Sequence, residues 1–340
     1  SIGYKHDISI TRYLNNKYVA KEFSRLASLK KKLPEIILTQ VPSLELAYAV
    51  MEFALKNNIP YIVDIRDPWP DIYQRLLPKS FKFLYPFIFR HEIQRAKKIY
   101  KNATNITAIS KTYLSNGLFY AGREKKQDDM VFPIGYPIDK NLKIDSQIVQ
   151  KYKNYKDKFV VFFSGSFGMN FDLKTVIEVS KKLESKNQEI FFIIAGKGKG
   201  EKELKNHSKK SERFIFLNWL PQNELRYLLS IASVGLAPFP ESALNSLPNK
   251  LYEYMSAGLP IVSSLKGESV ELIDNYEIGI SYSAGNINEL EFLIQKLYDD
   301  KILRNKMSKN ATNLLKDKFD SNKIYSNFSK YLNTKKKFKK

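Results

Sequence analysis

Cysteine is absent from the 340 residues, which excludes disulfides, thiolate metal sites and a cysteine nucleophile. Histidine is nearly absent: His6, His91 and His207 are scattered without metal-ligand spacing, which argues against a metal enzyme built on His or Cys. No apolar run reaches the ~18 residues of a membrane span and no signal-peptide pattern occurs, so the cytoplasm is the expected compartment. Carboxylates are in deficit, with 35 Asp and Glu against 56 Lys and Arg, for a formal charge of +21. Such an excess points to polyanions: nucleic acid, an anionic membrane surface or phosphorylated small molecules. Arginine is the scarce cation, ten of those 56, whereas sequence-reading nucleic-acid proteins lean on the arginine fork. Part of the lysine excess, alongside abundant Asn, Ile, Tyr and Phe, reads as compositional bias.

What is present is 43% apolar and 13% aromatic content, enough for two domains with cores of their own. Short β-rich runs alternate with longer amphipathic stretches, the pattern of α/β units on parallel sheets. The first half predicts strands at 36–39, 61–64, 105–108 and 130–132, with helices near 43–57, 80–101 and 110–121. Residues 137–158 lose apolar periodicity and become charged, as a connection between domains does. A cleaner series predicts strands at 159–164, 190–195, 214–217, 234–237, 261–263 and 279–281, with helices at 288–316 and 321–332. Continuous runs such as FVVFF and IFFII suit strands buried on both faces. The expected organisation is a first α/β domain over 1–140, a linker over 141–158, a second over 159–318, a helix over 319–334 returning to the first domain, and a basic tail at 335–340.

Ligands of open parallel sheets collect beyond the carboxyl ends of the strands, so the loops there are the candidate sites. Gly165-Ser166-Phe167-Gly168 follows the first strand of the second series, before a helix that Asn170 or Asp172 can cap. Glycines there admit a ligand to the backbone and to helix N–H groups, but a GxxG is equally a tight strand–helix turn. Gly196-Lys197-Gly198-Lys199-Gly200 follows the next strand, either charge for a phosphate or a solvated turn. Leu217, Asn218, Trp219 and Leu220 offer a flat surface for a nucleobase or a core tryptophan. The most specific stretch is PNKLYEYMSAGLPIV, 248–262, where Pro248 suits a helix start and Gly258 its end. Glu253 inside that helix is either a ribose-binding carboxylate or a solvated surface residue.

In this order and spacing SGSFG, IIAGKG, FLNWLP, VGLAPF and PNKLYEYMSAGLPIV resemble the donor domain of a GT-B glycosyltransferase of family 4. DIRDPWPD (64–71), ATNITAIS (103–110) and VFPIGYP (131–137) resemble the acceptor domain of bacterial members that build capsule or O-antigen sugars, especially aminodeoxyhexose transferases. The resemblance implies two Rossmann-like domains facing a cleft and a retaining transfer from a nucleotide sugar, UDP-linked, with neither cofactor nor metal. It also implies a saccharide or polyprenyl-diphosphate-linked acceptor. By position, Gly165, Ser166 and Gly168 approach the diphosphate with Gly196, while Lys197 and Lys250 lend charge. Glu253 holds the ribose, and Leu217 to Leu220 flank the base. Pro248, Asn249 and Leu251 complete the helix-start motif. Asn245 stands where the family usually carries a first glutamate, eight residues before Glu253. Lys250, Glu253 and Asp67 are the expected catalytic residues, with Asp64, Arg66 and Trp69 on the acceptor side.

The aromatic stretch LLPKSFKFLYPFIFR, 76–90, reads first as a core helix and second as an interfacial segment resting on anionic headgroups. The first domain lacks the opening strand, Gly-rich loop and helix that a GT-B acceptor domain carries. A missing unit of roughly 30 to 80 residues, or a degenerate domain, is therefore expected. Rival readings are a basic nucleic-acid-binding protein, which the transferase reading does not expect, and a nucleotide-sugar-binding protein without catalysis. A Rossmann oxidoreductase is weaker, because no GxGxxG follows a first strand with an acid about 20 residues on.

Overall fold

Apolar runs separated by amphipathic helices fold into two compact units, Ser1–Ile134 with Ile324–Lys340, and Gly135–Lys323. The computed structural model describes residues 10–138, 145–167, 171–186, 188–198 and 200–336.

The first unit opens with α1 (Ile10–Ser28), a helix the sequence reading did not anticipate. Its nine apolar residues are spread around the helix rather than gathered on one face; it sits on the next helix, with Phe23 edge-on to Phe53 at 5.9 Å. Then come β1 (Ile37–Val41), α2 (Leu44–Lys56) and β2 (Tyr61–Ile65). Ser43 caps α2, accepting from the Leu46 N–H. After two 3₁₀ turns (Asp71–Leu76, Lys79–Leu84) follow α3 (Tyr85–Ile88), α4 (Arg90–Asn102), β3 (Asn105–Ala108), α5 (Lys111–Ala121) and β4 (Met130–Val131). The four strands pair in parallel in the order β1-β2-β3-β4. All residues of β2 and β3 are buried, as sheets covered on both faces require.

The helix expected near 80–101 is continuous only from Arg90, as α4, and the first reading of 76–90 as a core helix is corrected. Pro78 stands before the second 3₁₀ turn and Pro86 sits at the start of α3, so a continuous ladder of helical hydrogen bonds cannot run through the stretch. Nor is the segment core: Phe81, Phe83, Phe87 and Ile88 are exposed, and only Tyr85 of α3 is buried.

The second unit begins with α6 (Ser146–Tyr152), within the stretch expected to be a linker. Asp145 caps it, and Lys151 and Tyr152 both reach Glu224, at 2.5 and 2.8 Å, so residues 145–155 belong to this unit's fold. The sheet is built from β5 (Phe159–Phe167), β6 (Ile190–Gly198), β7 (Phe214–Leu217), β8 (Val234–Ala237), β9 (Ile261–Ser263) and β10 (Gly279–Ser281). Between them lie α7 (Leu173–Ser185), α8 (Glu201–Ser208), α9 (Gln222–Ile231), α10 (Asn249–Ser256) and α11 (Glu268–Asn275). Asp172 caps α7 through the Thr175 N–H at 3.1 Å. Helices α12 (Ile287–Asp299) and α13 (Lys301–Lys318) fill the helical stretch expected over 288–316; Asp300 ends one and caps the other through the Leu303 N–H.

All pairings are parallel in the order β10-β9-β8-β5-β6-β7. This is the 3-2-1-4-5-6 order of doubly wound nucleotide-binding sheets, with the switch in strand order between β5 and β8. The last helix, α14 (Ser321–Thr334), carries Phe328 and Tyr331 onto Phe132 of the first unit, with ring centroids 4.7 and 5.2 Å away.

Candidate functional site

Glycine shapes the carboxyl edge of the second unit's sheet. The sequence reading ended the first two strands at 164 and 195, but both run three residues further, pairing Gly165 with Gly196, Ser166 with Lys197 and Phe167 with Gly198. A Cβ on Gly196 would lie 1.8 Å from the Gly165 carbonyl oxygen, and one on Gly198 would lie 2.0 Å from that of Phe167. Only glycine at these two positions, with φ of +145° and +136°, lets the pair continue as a ribbon beyond the sheet. The expected Gly-rich loop is therefore strand as far as Phe167; Gly168, Asn170 and Lys199, also named in that reading, lie outside the described residues.

Beside this ribbon, at the switch point, Lys250 and Glu253 project from the first turn and middle of α10, with Nζ and Oε2 3.9 Å apart. Residues three apart on a helix share a face, which brings the two charges together. The Lys250 ammonium also reaches Ser164 Oγ at 3.5 Å and lies 4.6 Å above the centroid of Phe163. Its stem passes Gly165, where an added Cβ would stand 3.4 Å from Cε. The Ser164 hydroxyl bonds Glu253 as well. Ser164 was missed by sequence reasoning; its signal was its place as the last residue of the FVVFFS run.

Lys250 is 9% exposed, and burial pulls its pKa down to about 8, with Glu253 opposing the shift. Burial pushes the Glu253 carboxyl up, against the pull of Lys250 and the Ser164 hydrogen bond. Both groups are thus held partly desolvated and incompletely compensated at a strand-end opening, the state in which a charged ligand gains most from meeting them.

Tyr254 fixes α10 in this position. Its ring covers Gly235, where an added Cβ would fall 2.4 Å from the ring, and its hydroxyl donates to the Leu236 carbonyl at 2.7 Å. Pro248, which offers no capping side chain, precedes the helix, so no side chain of the cap residue covers the N–H groups of Asn249 and Lys250. Asn249 is exposed and Asn245 half-buried. Leu251 is a correction: its side chain is fully buried and its N–H bonds the Pro248 carbonyl, so neither reaches a ligand.

At the far end of the ribbon, Lys197 Nζ lies 5.5 Å over the ring of Trp219, which is 60% exposed. Trp219 is therefore no core residue. Asn218 beside it is exposed, and Leu217 and Leu220 are half-buried.

The strand ends of the first unit differ in character. Asp64 is fully buried in β2, with Oδ2 accepting from Arg66 Nε at 2.6 Å and Oδ1 from Thr107 Oγ1 at 2.8 Å. Expected on the acceptor side, it is instead closed off by its own fold. Trp69 is likewise corrected to a core residue, 5% exposed and edge-on to Tyr73 at 4.7 Å. Asp67 is half-buried in the turn after β2, and its carbonyl accepts the Trp69 N–H. Asp71 gathers Tyr120, Tyr85 and Asn116, at 2.5, 3.2 and 2.5 Å. Among the described residues no group of three or more His, Cys, Asp or Glu could hold a metal ion, and no helix is long and apolar enough to cross a membrane.

A family profile described as glycosyl transferases group 1 matches residues 145–314, half of the chain. An uncharacterized glycosyltransferase of Methanocaldococcus jannaschii is 25% identical over 344 aligned positions, covering 96% of this chain and 75% of that protein. Among solved structures, Anabaena HepE in complex with UDP superposes with a TM-score of 0.71 at 16% identity, covering 93% of this chain and 82% of its own. Sucrose-phosphate synthase of Thermosynechococcus elongatus gives 0.74 at 15%, covering 98% and 82%. The likeness to these structures shows the fold, GT-B with Rossmann-like domains.

Proposed function

The chain belongs to the glycosyl transferases group 1 family, and on that premise we propose that it transfers a sugar from a UDP-linked donor to a saccharide or polyprenyl-diphosphate-linked acceptor, with retention at the anomeric carbon, in surface polysaccharide assembly of the capsule or O-antigen kind. The observation that carries this reading is the pairing of buried Lys250 with half-buried Glu253 at the strand-order switch, beside Ser164 and Gly165. A ligand with a ribose at one end and a diphosphate at the other supplies what each member lacks. The ribose hydroxyls donate to the Glu253 carboxylate, and the phosphate oxygens accept from the Lys250 ammonium and the backbone N–H groups of Asn249 and Lys250. Trp219 and the 217–220 backbone flank the base. The UDP in the HepE structure supports the choice of nucleotide.

In the proposed step the bond from the anomeric carbon to the diphosphate oxygen breaks as the acceptor oxygen bonds to that carbon from the same face. The acceptor proton passes to the departing phosphate. Negative charge grows on the leaving diphosphate, and Lys250 stabilises it in a water-poor site where a fixed cation has its largest effect. Asp67 is assigned to orient the acceptor hydroxyl. The positive charge comes from the protein, so turnover is expected to survive chelation by EDTA.

The test is release of UDP from UDP-sugars in the presence of lipid-linked and free saccharide acceptors. Saturable, acceptor-dependent release supports the reading. Binding of UDP without release would reassign the chain as a nucleotide-sugar-binding protein, and salt-sensitive binding of DNA or RNA with no UDP binding would overturn it in favour of a nucleic-acid partner.

A further inference from the structure

Water-facing phenylalanine is uncommon on a soluble surface unless the surface has a partner. Five phenylalanines are exposed among the described residues, and three of them, Phe81, Phe83 and Phe87, fall within seven residues of the first unit. Leu76 and Ile88 extend the patch, and Phe83 and Phe87 are 70% and 77% exposed. Between Asp71 and Glu92 the sequence carries Arg75, Lys79, Lys82 and Arg90 and no carboxylate. We propose that this face of the first unit docks on an anionic lipid bilayer, with Phe83 and Phe87 entering the headgroup–acyl boundary and the flanking cations on the headgroups.

The segment is anchored from below, so its outward residues are held in place before any membrane is met. Tyr85 donates to Asp71, the carboxylate that also holds Tyr120 and Asn116 of α5. Phe89 stacks on Tyr73, ring centroids 4.7 Å apart and planes 5° from parallel. Tyr85 and Phe89 thus turn inward while Phe83 and Phe87, two residues before each, face out. Phe119, exposed on α5 next to Tyr120, adds apolar surface on the neighbouring helix.

Apolar side chains flanked by lysine and arginine match an interface of anionic headgroups over acyl chains. A second copy of the chain fits poorly, because a symmetric contact would set four cations against the same four. The proposal deepens the lipid-linked acceptor reading and rests on it for its purpose, yet vesicle binding is measured without any transfer reaction.

The full chain is sedimented with vesicles of phosphatidylcholine alone and of phosphatidylcholine mixed with phosphatidylglycerol. It is expected to pellet with the mixed vesicles and to be released by salt. Phe83→Ser/Phe87→Ser lowers the partition by on the order of tenfold or more, and Lys79→Gln/Lys82→Gln lowers it roughly fivefold for each lysine. Wild-type circular dichroism and melting of the full chain certify the folding of both variants, and unchanged UDP affinity keeps this proposal separate from the donor-site reading, because the substitutions lie in the first unit and the donor site in the second. Pelleting with neither vesicle, or undiminished pelleting of both variants, overturns it. So does a dimer in sedimentation equilibrium that Phe83→Ser/Phe87→Ser dissociates, which would give the patch to a second copy.

Discussion

Two parallel sheets of the same handed logic end in opposite electrostatic conditions. At the carboxyl edge of the first, Asp64 is saturated by Arg66 and Thr107, and Asp71 by two tyrosines and an asparagine. At the carboxyl edge of the second, a buried Lys250 and a half-buried Glu253 have one another and a serine for company, and desolvation displaces both pKa values toward neutrality. Buried charge that a fold satisfies for itself stabilises that fold, whereas buried charge left undercompensated at an opening awaits a ligand. Charge alone does not mark a site; the shortfall of partners does.

The contrast breaks most sharply at Lys250. Lys250→Met is expected to lower kcat/KM by about 10²–10³-fold, the loss typical of removing one preorganised donor to a developing anion. Steady-state kinetics on a thermally intact variant checks this. Gly196→Ala tests the ribbon that carries Gly165 and Lys197: the clash with the Gly165 carbonyl is expected to cost about 3 kcal/mol, read in chemical denaturation, with UDP binding weakened in the molecules that fold. Glu253→Gln keeps size and loses charge, and is expected to weaken UDP binding by about 10-fold to 100-fold. A smaller and different effect is expected from Asp64→Asn: about 1–3 kcal/mol of stability lost with UDP affinity unchanged, as suits a carboxylate serving only its own fold. A fall in UDP affinity there with stability intact would erase the distinction between the two edges.

The second unit was the more legible in sequence. Its strands are unbroken apolar runs, and the proline and glycine that bracket α10 were readable where they stand, as was the i, i+3 pair Lys250 and Glu253. The length of β5 and β6 was not legible: glycine normally ends a strand, and only the close approach of two backbones at Gly165–Gly196 and Phe167–Gly198 turns it into a reason to continue. In the first unit, Asp64, Asp67 and Asp71 looked alike as a cluster at a strand end. Distinguishing them required Arg66, Thr107, Tyr85, Asn116 and Tyr120, the last four of which lie 14 to 49 residues away from the carboxylates they bind. The 76–90 stretch failed for a different reason: composition says that a residue is apolar, not which side of it faces water. Helix α1 gave no capping or periodic signal, and packing against α2 holds it.

The direction of the Lys250 shift sets a pH window. Its folded pKa of about 8 lies below the ordinary 10.5, so the unfolded chain holds the proton between those values. The cost of keeping this ammonium buried is therefore present below pH 8 and relaxes as pH rises toward 10.5. A bound diphosphate stabilises the protonated form, so its affinity must decline once the free protein loses that proton. Calorimetric titration of UDP from pH 6 to 10, on the wild-type chain and Lys250→Met, tests the central claim most directly. Saturable binding that is flat to about pH 8, falls by up to about tenfold per unit above it, and is weak and without that fall in Lys250→Met is the predicted result. Equal affinity in the two proteins across the range would contradict the assignment of the diphosphate to Lys250.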